Sequence, residues 1–208
     1  MSLIPEPPIV LARHTTATGE IQLQHRVFPD GSGAFEIISD GVFLMSSQFH
    51  LGEQVLAQEA LANITACEPV TRSVLVGGLG MGFTLQEALN HDIRQIDVVE
   101  ISDHVIDWNR QYFTQLNNHG LTDPRTTLVQ RDLYAVLEQS QPASYAAIML
   151  DVDNGPSWLV HQQNDRLYSS EALASWSTLL RPNGTFAVWA AQAEPSFMKR
   201  MERHFHDV

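Results

Sequence analysis

Four glycines stand within six residues, Gly77-Gly78-Leu79-Gly80-Met81-Gly82, directly after the apolar run Val74-Leu75-Val76. Glycines at the end of a strand let a ligand approach the backbone, and the helix that follows presents an electropositive N-terminus. Glu100 comes 18 residues after Gly82 and ends a second apolar run, Ile96-Asp97-Val98-Val99. A carboxylate at that place can accept hydrogen bonds from both hydroxyls of a ribose. Strand, glycine turn, helix and acid together predict a nucleoside site. The plainer reading is that the glycines permit a tight turn and Glu100 caps a helix. A dinucleotide turn reads G-x-G-x-x-G, and its third glycine would fall on Phe83 counting from Gly78, or on Leu85 counting from Gly80. That spacing disfavours a nicotinamide dinucleotide.

A second cluster, Asp151-Val152-Asp153-Asn154-Gly155-Pro156-Ser157-Trp158, follows the apolar run from Tyr145 to Leu150. Open α/β sheets place their ligand crevice at the carboxyl ends of such strands. Carboxylates there can take a proton from a nucleophile and steady a cation. The alternative is an Asp-Asn-Gly-Pro turn whose side chains bond their own backbone. Trp158 and Tyr168 offer aromatic faces that attract cationic amines, or they serve packing. Asp132 precedes a helix starting at Leu133, which suits an N-cap. The nine His residues are scattered with no ligand spacing such as H-E-x-x-H, so no catalytic metal is expected. No G-x-S-x-G occurs, and Cys67 has no signature around it, which argues against a nucleophilic hydrolase.

The elements that must position these residues change in character along the chain. Residues 1–11 are proline-rich and read as an extended lead-in. Residues 19–47 alternate apolar and polar around turns at Pro29-Asp30-Gly31 and Asp40-Gly41, as an antiparallel meander does. A helix is predicted over about 51–64. From Arg72 onward short apolar strands alternate with helices: strands at 73–76, 96–100, 127–129, 145–150 and 185–189, helices after the glycine turn and over about 103–116, 171–180 and 196–205. Thr84-Leu85-Gln86-Glu87 fits a capping box at the start of the first of these helices. This alternation predicts an α/β fold with a doubly wound, mostly parallel sheet. The expected division is a meander plus helix over 1–68 and a Rossmann-like nucleoside-binding domain over 69–208.

Composition excludes several classes. The 208 residues carry 24 acidic groups against 12 Lys+Arg, a net charge of −12, and Lys199 is the only lysine. Such a chain lacks the clustered cations that nucleic acid or an anionic membrane surface would require. Hydrophobic residues make up 44%, enough for a sizeable core. Cys67 is the only cysteine, no apolar run is long enough to span a bilayer, and Met1–Glu6 lack a signal-peptide start. A reducing, cytoplasmic setting is expected.

The chain resembles the spermidine synthase group of polyamine aminopropyltransferases over about residues 20–190. The resemblance is carried by Val74–Leu85 (VLVGGLGMGFTL), Asp97–Ile101 (DVVEI), Asp123-Pro124-Arg125, Arg131-Asp132, Leu150–Pro156 (LDVDNGP), Leu167-Tyr168 and Leu180–Phe186 (LRPNGTF). It implies a class I methyltransferase-type Rossmann fold with a small N-terminal β-element. The spacing Gly78-x-Gly80-x-Gly82 is similar to that of enzymes using S-adenosylmethionine. By position, Gly78, Gly80 and Gly82 would line the thioether side of the donor, Glu100 would hold the ribose, and Ile101 would pack on the adenine. Asp132 would face the adenine amino group, and Asp151 would end the strand at the crevice. Alkyl transfer from a sulfonium to an amine needs the amine deprotonated and held in line. Asp151 is the candidate base, with Asp153 and Asn154 orienting the nucleophile and Trp158 and Tyr168 lining its pocket.

The departures from the family pattern fall on the polyamine contacts and on the donor's amino group. Met81 stands where the family has an acid for the donor's amino group. Asp151-Val152-Asp153 is spaced D-x-D rather than D-x-x-D, and Glu53-Gln54-Val55-Leu56 replaces a Tyr-His-Glu motif. The expected function is an alkyltransferase on a small amine, using S-adenosylmethionine or its decarboxylated form as co-substrate or binding methylthioadenosine. A small-molecule methyltransferase and a non-catalytic nucleoside-binding protein are the alternatives. Methyltransferase-type sheets usually end in a further hairpin, whereas here the last helix is followed by His206-Asp207-Val208. The hairpin therefore reads as truncated, and the open fifth strand predicts a homodimer.

Overall fold

The structure is a computed structural model that describes residues 7–208 except 17, 18 and 63, and only the backbone of residue 65. The signal-peptide reading of Met1–Glu6 and the placement of Pro5 lie outside the described residues. The chain divides into two compact units, Met1–Leu51 and Gly52–Val208.

The first unit is a four-stranded antiparallel sheet in the order β1-β2-β3-β4. The strands are β1 (Ile9–Thr16), β2 (Gly19–Val27), β3 (Gly33–Ser39) and β4 (Val42–Ser46). The alternating pattern gives β2, β3 and β4 as expected. The extended lead-in is corrected, because Ile9–Thr16 pair with β2 in antiparallel register. The prolines at 7 and 8 lie just before the paired stretch, where a missing N–H breaks no ladder bond. Leu23 and Ile37 pair across the sheet and are buried. Gln22 donates to Gln24, and Gln24 and Arg26 both bond Glu36, so the polar residues of these strands satisfy one another.

The second unit holds a five-stranded parallel sheet in the order β7-β6-β5-β8-β9. Its strands are β5 (Ser73–Gly77), β6 (Gln95–Glu100), β7 (Thr126–Gln130), β8 (Tyr145–Leu150) and β9 (Leu180–Val188). The helices are α1 (Leu51–Leu61), α2 (Phe83–Leu89), α3 (Asp103–Gln111), α4 (Leu133–Gln139), α5 (Ser170–Leu179) and α6 (Pro195–Met201). All six residues of β8 are buried, as a central strand covered on both faces requires. The strand order reverses between β5 and β8, and a sheet of this kind has its crevice at the carboxyl ends of those strands.

Helix ends follow local chemistry. Ser102, Asp132 and Ser169 accept main-chain hydrogen bonds as N-caps of α3, α4 and α5. α3 stops at Gln111, short of the expected residue 116, because the Thr114 hydroxyl donates back to the carbonyls of Asn109 and Arg110. The expected turn at residues 181–184 is absorbed into β9, with Asn183 at φ 63 and a register shift opposite Tyr145–Ala147. The expected boundary at residue 68 moves to Leu51/Gly52. α1 groups with the second unit: it buries Leu56, Ala57, Ala60 and Leu61, and Gln58 donates to Glu87 of α2.

Candidate functional site

The glycine turn is built by close backbone contact. Gly77 O accepts from Asp151 N at 2.7 Å, and Gly78 N donates to Val99 O at 2.9 Å. A Cβ on Gly78 would lie 2.1 Å from the main-chain oxygen of Asp151, and φ at Gly78 is +96. Only glycine lets β5 and β8 diverge this tightly. Gly82, at φ +85, is the residue that enters α2. The capping box expected at Thr84-Leu85-Gln86-Glu87 does not form, because α2 starts at Phe83 and Thr84 is already inside its first turn. The Thr84 hydroxyl donates instead to Asp151 Oδ2 at 2.6 Å.

Glu100 ends β6 beside this turn. Its Oε2 accepts from Leu79 N at 3.1 Å and its Oε1 from Ser102 N at 2.7 Å. Burial pushes its carboxyl above the usual range, and the amides of Ser102, Leu79, Ile101 and Gly80 pull it back. A carboxylate has about four acceptor positions, so two such bonds leave room for ribose hydroxyls. The Ile101 side chain beside it is 65% exposed, an apolar surface suited to the face of a purine. Gly78, Leu79 and Gly80 are thus brought against the Val99–Glu100 end of β6 and its neighbour Ile101, while Gly82 lies against Asn109 and Asn117.

Two buried amides that the sequence reading missed hold the turn. Asn109 Nδ2 donates to Gly80 O at 2.7 Å and to Val105 O at 2.9 Å. Asn117 Nδ2 donates to Met81 O at 3.1 Å and to Asn109 Oδ1 at 2.8 Å. No local motif marks either residue. Met81 itself is fully buried, anchoring the turn from below.

At the end of β8, Asp151 is the acid in the crevice. Burial, joined by the charge of Glu53 and opposed by the Thr84 hydrogen bond, pushes its carboxyl up to about 7. A carboxyl at that value can exchange a proton near neutral pH. The rest of the acidic loop is occupied with its own shape. Asp153 sits at φ 59, its Oδ1 accepts from Val160 N and His161 N at 3.2 Å each, and its Oδ2 accepts from Asn164 Nδ2 at 2.8 Å. Asn154 is buried, and its carbonyl accepts from Ala191 N at 3.0 Å. Trp158 is 50% exposed on the same loop.

Tyr168 and Asp132 adjoin this group, with their polar atoms bonded to protein partners. Tyr168 is 1% exposed in the core with Trp176, Leu173 and Phe197, and its hydroxyl donates to Val152 O at 2.9 Å. It braces the acidic loop from within the core instead of lining a pocket. Asp132 caps α4 through Tyr134 N at 2.8 Å and pairs with Arg166, whose guanidinium lies over the Tyr134 ring at 4.7 Å. Among the described residues no group of three or more His, Cys, Asp or Glu side chains is placed to hold a metal ion. Nor is any described helix long and apolar enough to cross a membrane.

A five-stranded parallel sheet with a glycine turn after β5 and an acid ending β6 defines a Rossmann-like fold of the class I methyltransferase type. Residues 54–206 match the spermine/spermidine synthase domain, and the chain belongs to that family. It is 29% identical over 186 residues to spermidine synthase 1 of Pisum sativum, covering 88% of this chain and 50% of that protein. It is 35% identical over 143 residues to putrescine N-methyltransferase 1 of Nicotiana tabacum, covering 67% of this chain and 34% of that protein. The chain therefore spans a third to a half of the length of these relatives. The crystal structure of spermidine synthase from Thermotoga maritima superposes with a TM-score of 0.73 at 19% identity, over 95% of this chain and 64% of that one. A spermidine synthase in complex with the transition-state analogue AdoDATO gives 0.74 at 20% identity, over 95% of this chain and 65% of that one. Both structures agree in fold with the α/β reading of the sequence.

Proposed function

We propose that this chain transfers an alkyl group from an S-adenosylmethionine-type donor to a small amine, with Asp151 as the base. The observation that carries this reading is the Asp151 carboxyl at the end of β8, raised to about 7 and in main-chain contact with the glycine turn. Glu100 and the amides around it hold the ribose, and Ile101 covers the adenine. The donor, when bound, supplies a sulfonium carbon open to attack. Asp151 accepts the proton of the amine, and Thr84 fixes which carboxylate oxygen is free to do so. Trp158, on the exposed side of the loop, is placed to meet a cationic substrate. Asp153 and Asn154 keep the loop that presents Asp151 in shape.

Aminopropyl transfer is supported by the family and by the spermidine synthases among the relatives, which makes decarboxylated S-adenosylmethionine the leading donor. Methyl transfer is the second reading, supported by the higher identity to putrescine N-methyltransferases. Calorimetry with S-adenosylmethionine, its decarboxylated form and methylthioadenosine, followed by turnover assays with putrescine, tests both. Preference for the decarboxylated donor with putrescine turnover supports aminopropyl transfer. Preference for the intact donor with methylated product supports methyl transfer. Binding of none of the three overturns both. The open edge of β9 supports pairing with a second copy, which light scattering checks, and the single cysteine is in keeping with a cytoplasmic setting.

A further inference from the structure

Glu53 lies in the first turn of α1, where an acid normally faces solvent and complements the helix dipole. Here it is 7% exposed. Its carboxylate takes a hydrogen bond from its own amide and from no other described residue, and burial pushes it above the usual range. Neither Glu53 nor Asp151 forms an ion pair among the described residues. A carboxylate left this way lacks a positively charged or donating partner.

Three contacts bring this turn to the carboxyl ends of β8 and β9. A Cβ on Gly52 would lie 2.5 Å from Trp189 Nε1, so the start of α1 rests against that indole. Trp189 N donates to Leu150 O at 2.9 Å, next to Asp151. Gly155 of the acidic loop packs on Ala190, where a Cβ would come within 2.9 Å. The charge of Glu53 is also felt at Asp151.

We infer that Glu53 is the second acidic wall of the amine site, and that a primary ammonium group of the substrate docks between Glu53 and Asp151. This rests on the alkyl-transfer reading above. Asp153 is committed to Val160, His161 and Asn164, which leaves Glu53 as the other acid whose charge bears on Asp151. In the docked state the ammonium gives one proton to Asp151, whose carboxylate becomes a carboxylic acid. The electron pair of the broken N–H bond stays on nitrogen as its lone pair, and Glu53 exchanges no proton in this step. The groups that bear on the Asp151 titration are Glu53 from α1, the Thr84 hydroxyl from α2, and Tyr168, whose phenol is pushed up by burial and by the charges of Asp153 and Asp151.

The test compares wild type with Glu53→Gln and Glu53→Asp, using putrescine as amine and methylthioadenosine protection against melting to verify folding. Glu53→Gln is expected to raise the putrescine KM about thirtyfold or more, as loss of a buried charge partner does, with methylthioadenosine affinity unchanged. It also removes a like charge from Asp151, so the acid limb of kcat moves to lower pH by about half a unit or more. Glu53→Asp keeps the charge and is expected to hold the limb in place with KM raised by about threefold at most. Wild-type KM and pH profile in Glu53→Gln, or a thirtyfold KM loss in Glu53→Asp, overturns the inference and leaves the alkyl-transfer reading standing. A wild-type protein that binds methylthioadenosine but neither binds nor alkylates an amine overturns the reading itself, and the inference with it.

Discussion

Two half-buried acids end neighbouring halves of the same sheet, and their surroundings differ. Glu100 is ringed by main-chain N–H groups, which cannot move without unmaking the turn. Asp151 has one rotatable hydroxyl, Thr84, and a like charge nearby. Burial raises both. Fixed amides favour a carboxylate that stays charged and accepts hydrogen bonds, whereas a single hydroxyl and a repelling neighbour favour one that gains and loses a proton. On the proposed function the first is an anchor and the second a reactive group.

The comparison breaks most visibly at Asp151. Asp151→Asn is expected to lower kcat for amine alkylation about a thousandfold, within the range of lost general-base catalysis, while leaving methylthioadenosine affinity within a few fold by calorimetry. Equal loss of both would merge the two roles. The same variant sharpens the contrast in stability. The folded-state value of Asp151 lies above its unfolded value, so its contribution is present below about pH 4 and is lost as pH rises through about 7. Urea unfolding of wild type should therefore show a component that falls across that window, and Asp151→Asn should flatten it. A stability curve unchanged by the substitution would return Asp151 to an ordinary solvated acid.

Gly78→Ala is expected to cost about 3 kcal/mol or more in urea unfolding, since the new methyl meets the Asp151 carbonyl at a positive φ. Glu100→Gln replaces an acceptor oxygen by a donor against main-chain N–H groups. Nucleoside affinity should fall about thirtyfold, near 2 kcal/mol, with kcat at saturation little changed. A drop in kcat instead would assign Glu100 to the chemistry. The smallest effect is expected from Tyr168→Phe, about 1 kcal/mol of stability for the unpaired Val152 carbonyl, with putrescine KM unmoved. A raised KM would bring Tyr168 back to the substrate pocket.

The parallel sheet was legible because its strands are short apolar runs between helices, and β8 was read to the residue. β1 was not, since prolines at its start masked a strand whose pairing is supplied by β2. Thr84 was visible but misread, as a threonine three residues before a glutamate looks like a cap, and only the positive φ at Gly82 frees its hydroxyl for Asp151. Asn109 and Asn117 carry no periodic or motif signal, and Glu53 stands out only as part of a departure from the family motif. Their roles come from contacts across 29 or more residues for the two amides, and from the packing of α1 on Trp189 for Glu53. Such placement is set by tertiary structure, which a local pattern cannot encode.

The amides of Asn109 and Asn117 have a consequence for ligand kinetics. A glycine-rich segment left to itself would sample many conformations, and fixing each residue costs about 1 kcal/mol or more in entropy. Here two side chains from the α3 region hold the carbonyls of Gly80 and Met81 as part of the folded core. That loss of freedom belongs to folding, so on the proposed function the turn meets a nucleoside already in shape, and affinity is not spent on ordering the loop.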